Sequence, residues 1–178
     1  MSGANASPTG RSHQVLTLFP HVPEYLRALA QGPEFYQAVT GLQVANGLSG
    51  FVRAASEDFL TRLRSATEPD PWSWGFAVVD QENRVIGMAA FKAAPGADRT
   101  VEIAYGISPA YQGRGYATEA ALGLIQFARE SGRVSLVCAH TLPTNDPSKR
   151  VLEKCGFKLI GEVMDPGEGL VLRWELQL

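Results

Sequence analysis

"TVEIAYGISPAYQGRGYATEA", residues 100–120, decides how this chain is read. Its first eight residues alternate as a strand does. Val101, Ile103, Tyr105 and Ile107 share one face, and Glu102, Ala104 and Gly106 share the other. The first face is bulky and suits a core. The second is a carboxylate followed by two very small side chains, which leave room for a cleft over the strand. Ser108-Pro109 stops the strand, Gly113 and Gly115 turn the chain around Arg114, and a helix follows from Ala117 to Glu130. Ala117, Ala120, Ala121, Leu124, Ile125 and Ala128 fall on one face of that helix.

A helix N-terminus leaves backbone N–H groups unpaired and carries partial positive charge. Glycines let that backbone come close to a ligand, so an anion fits there. Gly113, Arg114, Gly115, Tyr116 and Ala117 supply the donors, and Arg114 offers a charge-assisted bond. A plain tight turn is the other reading of the two glycines. Two phosphate motifs are excluded. No Gly-Lys-Ser/Thr ending makes this a P-loop, and Thr118 stands where a dinucleotide fingerprint needs its third glycine.

Working outward, "QVLTLF" (Gln14 to Phe19) reads as a first strand, after a polar Gly/Pro-containing stretch, residues 1–13, expected to be a disordered tail. "PEYLRALAQGPEFYQAVTG" predicts one or two helices interrupted at Gly32-Pro33, and "LQVANGLSGF" a glycine-rich loop. Ser56 is the expected N-cap of "SEDFLTRLRSA". "WGFAVVD" and "RVIGMAAF" predict a hairpin. Beyond the central helix come a strand, "RVSLVCAH", a helix with Asp146 at its N-cap and Gly156 at C′, and two strands around "DPGEG". The order predicts an α/β or α+β mixed sheet with helices on both faces.

The 178 residues suit one domain with a sizeable core. Apolar residues make up 45% and charged residues 19%, an ordinary globular composition. The formal net charge of −2 gives no reason to expect nucleic acid or an anionic membrane as partner, so any anion site is local. No signal-peptide pattern or membrane-length apolar run is present. His13, His21 and His140 lack ligand spacing, so no metal is expected. Cys138 and Cys155 fit neither a disulfide framework nor a zinc cluster, which suits a reducing cytoplasm. Cys138 alternates with Val134 and Leu136 on an apparent core face, and His140 at the strand end shares that parity.

Gln112 to Ala117 fits the Gln/Arg-x-x-Gly-x-Gly/Ala signature of the GCN5-related N-acetyltransferases (GNAT family). "VIGMAAF", "VEIAYGISPAYQGRGYATEA" and "NDPSKRVLEKCGF" arrive in that family's order and spacing. From about Trp74 to Glu162 the chain resembles the branch that includes the ribosomal-protein N-terminal acetyltransferases. The resemblance implies a GNAT-like acyl-CoA N-acyltransferase fold, with 14–178 as a single N-acetyltransferase domain. It implies that the amides of Gln112, Gly113, Arg114, Gly115, Tyr116 and Ala117 hold the pyrophosphate of acetyl-CoA. In this family the preceding strand splays from its neighbour, and backbone groups near Gly106, Ile107 and Ser108 pair with the pantetheine arm like an added strand.

Acetyl transfer to an amine needs the amine neutral, and an alkylammonium is mostly protonated at neutral pH. Glu102 is the expected proton acceptor; a solvated strand carboxylate is the plainer reading. By resemblance, Asn145 bonds the pantetheine arm, and Ser148 lies near the thioester sulfur, where a hydroxyl can protonate the leaving thiolate. Both also suit a helix start. Many members place a tyrosine acid where this chain has Leu152, so that role does not carry over. Lys149, Arg150 and Lys154 form a basic helix face that is either solvated or meets a coenzyme phosphate. Trp72 and Trp74 either pack or line an acceptor pocket.

The expected activity is therefore transfer of acetyl from acetyl-CoA to a primary amine, of a peptide N-terminus or a small molecule. A non-catalytic acyl-CoA-binding module is the alternative. A homodimer is left open.

Overall fold

The computed structural model describes residues 16–178. The expected tail, 1–13, and the first two residues of the expected first strand lie outside the described residues.

The N-terminal third is mainly helical. Strand β1 (Thr17–Pro20) leads into α1 (Pro23–Gln31) and α2 (Pro33–Thr40), two separate helices divided at Gly32. The expected loop after them is more ordered than its glycines suggest. It holds a two-residue strand, β2 (Gln43–Val44), and one turn of helix, α3 (Ser49–Arg53). Leu48 and Val52 drive this, being almost fully buried. Helix α4 (Glu57–Ser65) is capped by Ser56, whose hydroxyl accepts from the Phe59 N–H at 3.2 Å. A short α5 (Pro71–Trp74) takes Trp74 out of the expected strand, because the Asp70 carboxylate accepts from the Trp72 N–H and starts a turn.

A strand meander follows: β3 (Phe76–Val79), β4 (Arg84–Phe91) and β5 (Thr100–Ile107). The chain continues with α6 (Tyr116–Glu130), β6 (Leu136–Thr141), α7 (Asp146–Lys154), β7 (Lys158–Asp165) and β8 (Gly169–Gln177). The sheet runs β1-β3-β4-β5-β6-β8-β7, with β2 beside the start of β4. It is mixed: β5–β6 and β2–β4 are parallel and the other pairs antiparallel.

Alternation along β3 divides the core in two. Phe76 and Val78 face α6, with Ile86, Val101, Ile103, Ile107, Leu124 and Leu152. Ala77 and Val79 face the early helices, with Leu26, Leu29, Tyr36, Val52 and Leu63. Helices thus cover both faces of one sheet, as the order of elements predicts.

The face of β6 is a correction. Val137 and Ala139 point into the α6-side core. Cys138, although buried, lies on the opposite face with His140, because its register partners are Glu102 on β5 and Glu175 on β8. Cys155, by contrast, does join the core.

Candidate active site

Two strands that should pair along their length separate instead. β5 and β6 are in register only over Thr100–Glu102 and Leu136–Cys138. Beyond Glu102, β5 keeps its partner β4 as far as Ile107 but loses β6. Bonds to β4 run through the even-numbered residues: the Lys92 N–H donates to the Glu102 carbonyl at 2.9 Å, and the Ser108 N–H to the Ile86 carbonyl at 2.8 Å. Alternation therefore turns the backbone groups of Tyr105 and Ile107 towards the opening. Gly106 and Ser108, both on the β4-bonded alternation, are not among the open groups, and of Ile107 only the N–H is open because its carbonyl is held by Gln112.

The glycine turn closes one end of this opening. Gly113 and Gly115 have φ of +75° and +82°, the left-handed region that disfavours a side chain. A Cβ at either would meet nothing within 4 Å, so the space above the turn is empty of protein. Gly115 is the N-cap of α6 and has no side chain to cap it. The first helical bond runs from the Glu119 N–H to the Gly115 carbonyl, so the amides of Tyr116, Ala117 and Thr118 precede the helical ladder. The Gln112 side chain fixes the turn to the strand end, donating from Nε2 to the Ile107 carbonyl at 2.9 Å. Arg114 is exposed beside the turn. Its guanidinium lies 5.7 Å from the Tyr111 ring centre, and Nη2 reaches the Ala110 carbonyl. Its side chain does not line the cleft.

On the other side of the opening stands α7. Its N-cap is Asn145, not Asp146 as expected: the Asn145 Oδ1 accepts from the Ser148 N–H at 3.2 Å. The helix ends on Gly156 at φ +90°, with the Phe157 N–H on the Leu152 carbonyl and the Gly156 N–H on that of Glu153. Of the basic face, Lys149 is tied to Asp146 at 3.0 Å, whereas Arg150 and Lys154 border the cleft.

These parts enclose a first cleft of about 480 Å³, bounded by Gly106 and Ile107 on β5, the turn from Gln112 to Thr118, and α7 from Asn145 to Lys154. A second cleft of about 280 Å³ holds Glu102, His140, Lys92, Asp165 and Glu168. Tyr105, Asn145 and Ser148 border both, so the two clefts meet where β5 and β6 part. A third cleft, about 760 Å³, lies against Phe51, Phe59, Trp72, Trp74 and Met88 and meets the second at Lys92, Ala104 and Tyr105. Gly106 matters here, because a Cβ on it would sit 2.8 Å from the Phe51 ring.

Glu102 is no isolated strand carboxylate. Its Oε1 lies 2.7 Å from Nζ of Lys92 and 2.9 Å from Nδ1 of His140. Burial opposes charge on Lys92, but the Glu102 bond and charge, with Glu168 and Asp165, outweigh it and hold the ammonium above its usual range. Asp165 is held below the usual carboxylate range by the N–H groups of Glu168 and Gly167. Sequence reasoning set His140 aside. The available signal was its parity with Cys138, combined with the parallel register that sets Cys138 beside Glu102. Leu152, where the family commonly has tyrosine, is fully buried and offers no proton donor. Burial raises both thiols: Cys155 is pushed up to about 11, and Cys138 also rises. Among the described residues no group of three or more His, Cys, Asp or Glu is placed to hold a metal.

Comparison with known proteins agrees with this architecture. A curated relative, the uncharacterized N-acetyltransferase YnaD of Bacillus subtilis (strain 168), is 32% identical over 84 residues, 47% of this chain and 49% of that protein. The chain thus matches about half the length of that relative. Among solved structures, the ribosomal L7/L12 alpha-N-protein acetyltransferase RimL in complex with coenzyme A superposes with a TM-score of 0.64 at 15% identity, covering 94% of this chain and 97% of that one. Mycobacterium smegmatis RimJ in complex with CoA-disulfide gives 0.59 at 20% identity, covering 91% and 81%. At such identities these two establish the fold alone. The profile of the acetyltransferase (GNAT) domain matches residues 16–158, from β1 through the start of β7. With the parted strands and the glycine turn both inside that span, the chain belongs to the GNAT acetyltransferase family.

Proposed function

We propose that this protein transfers acetyl from acetyl-CoA directly to a primary amine, of a protein N-terminus or a small molecule, within a ternary complex. The observation that carries the reading is the junction of the first two clefts at Tyr105, Asn145 and Ser148, between the parted strands. Of the expected amides, that of Gln112 already donates to the Pro109 carbonyl at 3.3 Å, so those of Gly113 to Ala117, joined by that of Thr118, take the pyrophosphate, with Arg150 and Lys154 alongside. The pantetheine arm lies along β5, where the backbone of Tyr105 and Ile107 faces the opening. The thioester then reaches the junction from one side and the amine from the other.

The chemistry balances within these residues. The ammonium loses a proton to the Glu102 site. The amine nitrogen attacks the thioester carbonyl, the C–S bond breaks, and the coenzyme leaves as a thiolate. The nitrogen's second proton ends on that thiolate, with the Ser148 hydroxyl as carrier. Presence of coenzyme A in the RimL complex supports the donor assignment.

The test is a screen for acetyl-CoA-dependent thiol release over N-terminal peptides and small amines. Release of coenzyme A matched by an N-acetylated product supports the reading and names the acceptor class. Tight coenzyme binding with no acceptor acetylated in either panel would favour a binding module.

A further inference from the structure

From the geometry of the second cleft we infer that His140 is the base that touches the amine, and that Glu102 positions it. The inference rests on the acetyl-transfer reading above and names the atom that takes the proton.

An ionised carboxylate only accepts hydrogen bonds, so the 2.9 Å contact to Glu102 Oε1 requires the proton on His140 Nδ1. Of the two neutral tautomers, that selects the one with its lone pair on Nε2. Nε2 has no hydrogen-bond partner among the described residues, and His140 lines the same cleft as Ser148 and Asn145. Glu102 is the more occupied group, since its Oε1 is bonded by both Nδ1 and the Lys92 ammonium. This is the arrangement of a carboxylate that orients an imidazole and stabilises the imidazolium formed when Nε2 takes a proton. As a class, imidazoles also accept protons nearer neutral pH than carboxylates do, which suits a base working on an ammonium.

The charged groups around His140 come from four elements. Lys92 directly follows β4 and Glu102 lies on β5; Asp165 and Glu168 stand at the β7–β8 turn; Arg173, on β8, is the register partner of His140. Arg173 is held by Glu175 at 2.8 Å, and Cys138 adjoins on β6. Three carboxylates bordering the cleft suit a cationic amine. In the step itself, Nε2 takes one proton from the ammonium, the neutral amine attacks the thioester, and the imidazolium returns its proton to solvent after the coenzyme leaves.

Two measurements test this. Nitrogen NMR of the free protein at neutral pH reads the tautomer without any acceptor: a protonated Nδ1 with an unprotonated Nε2 is expected, and the opposite tautomer would overturn the proposal. Kinetics of His140→Ala and Glu102→Gln, with an acceptor from the screen, read the roles. His140→Ala should lower kcat by about two to four orders of magnitude, with coenzyme affinity by calorimetry unchanged and part of the rate restored by added imidazole. Glu102→Gln should lose less, since its amide oxygen still accepts from Nδ1. A larger loss in Glu102→Gln than in His140→Ala, or no imidazole rescue, would return the base to Glu102. Lost coenzyme binding in the wild-type protein would instead count against the acetyl-transfer reading.

Discussion

Replacing Gly115 with glutamate separates the cost to the fold from the cost to the ligand site. At φ +82° any L side chain is strained by about 1–2 kcal/mol. No steric cost is added, because a Cβ there meets nothing within 4 Å. For a chain of 178 residues, each kcal/mol lowers Tm by roughly 2–4 °C. The variant should therefore melt only modestly below the wild type. Coenzyme binding should suffer far more. A carboxylate about 4 Å from a phosphate charge, at an effective dielectric of about 20, is repelled by about 4 kcal/mol. Half that value still weakens binding about 30-fold. Gly115→Ala carries the same backbone strain without bulk or charge, so it should melt like Gly115→Glu yet keep most of its affinity. Calorimetric titration with acetyl-CoA, beside thermal melts of all three proteins, gives both numbers. Equal affinity in Gly115→Glu and Gly115→Ala would refute placing the pyrophosphate at this turn.

His21 makes the fold acid-sensitive. Burial lowers its pKa to about 4, partly offset by the nearby Trp74 backbone. The folded value lies below the unfolded value of about 6.5, so the unfolded chain takes the proton first as pH falls. Stability from this group is complete above pH ~6.5 and declines towards pH ~4, by about 3 kcal/mol in all. Urea unfolding should show about 2 kcal/mol less stability at pH 5 than at pH 7 from this group, with a shallower slope in His21→Gln; an unchanged slope in that variant would remove His21 as the cause. The buried thiols predict direct attack without an acetyl-cysteine: Cys138→Ser with Cys155→Ser should retain turnover, and mass spectrometry after mixing with acetyl-CoA alone should find no cysteine-linked acetyl. An acetyl-cysteine forming and discharging at the turnover rate would contradict it.

Local patterns carried most of the fold. The alternation of β5 and the one-faced helix α6 are each written in consecutive residues, and both lie where the sequence puts them. The glycine turn was legible because φ near +80° at Gly113 and Gly115 leaves few other residues possible. What was missed depends on partners far along the chain. Leu48 and Val52 order the stretch read as a loop, because helices α1 and α4 supply a core for them. Cys138 takes the face opposite to the one expected, since both neighbours of β6 place charged residues in register with it. His140 meets Glu102 across 38 residues of sequence, a pairing fixed by strand register rather than by spacing. The cap of α7 moved by one residue, to Asn145, because the Asn145 amide oxygen reaches the Ser148 N–H. The third cleft was partly foreshadowed, as Trp72 and Trp74 both border it while remaining buried.

The central claim is that coenzyme enters between β5 and β6 and meets its acceptor at the junction of the first two clefts. A crystal structure of the protein with acetyl-CoA tests it most directly. The account predicts pyrophosphate oxygens within hydrogen-bonding distance of the amides from Gly113 to Thr118, pantetheine beside the backbone of Tyr105 and Ile107, and the acetyl group between Ser148 and the Glu102–His140 pair. Coenzyme seated elsewhere, or with its acetyl group directed away from that pair, would contradict it.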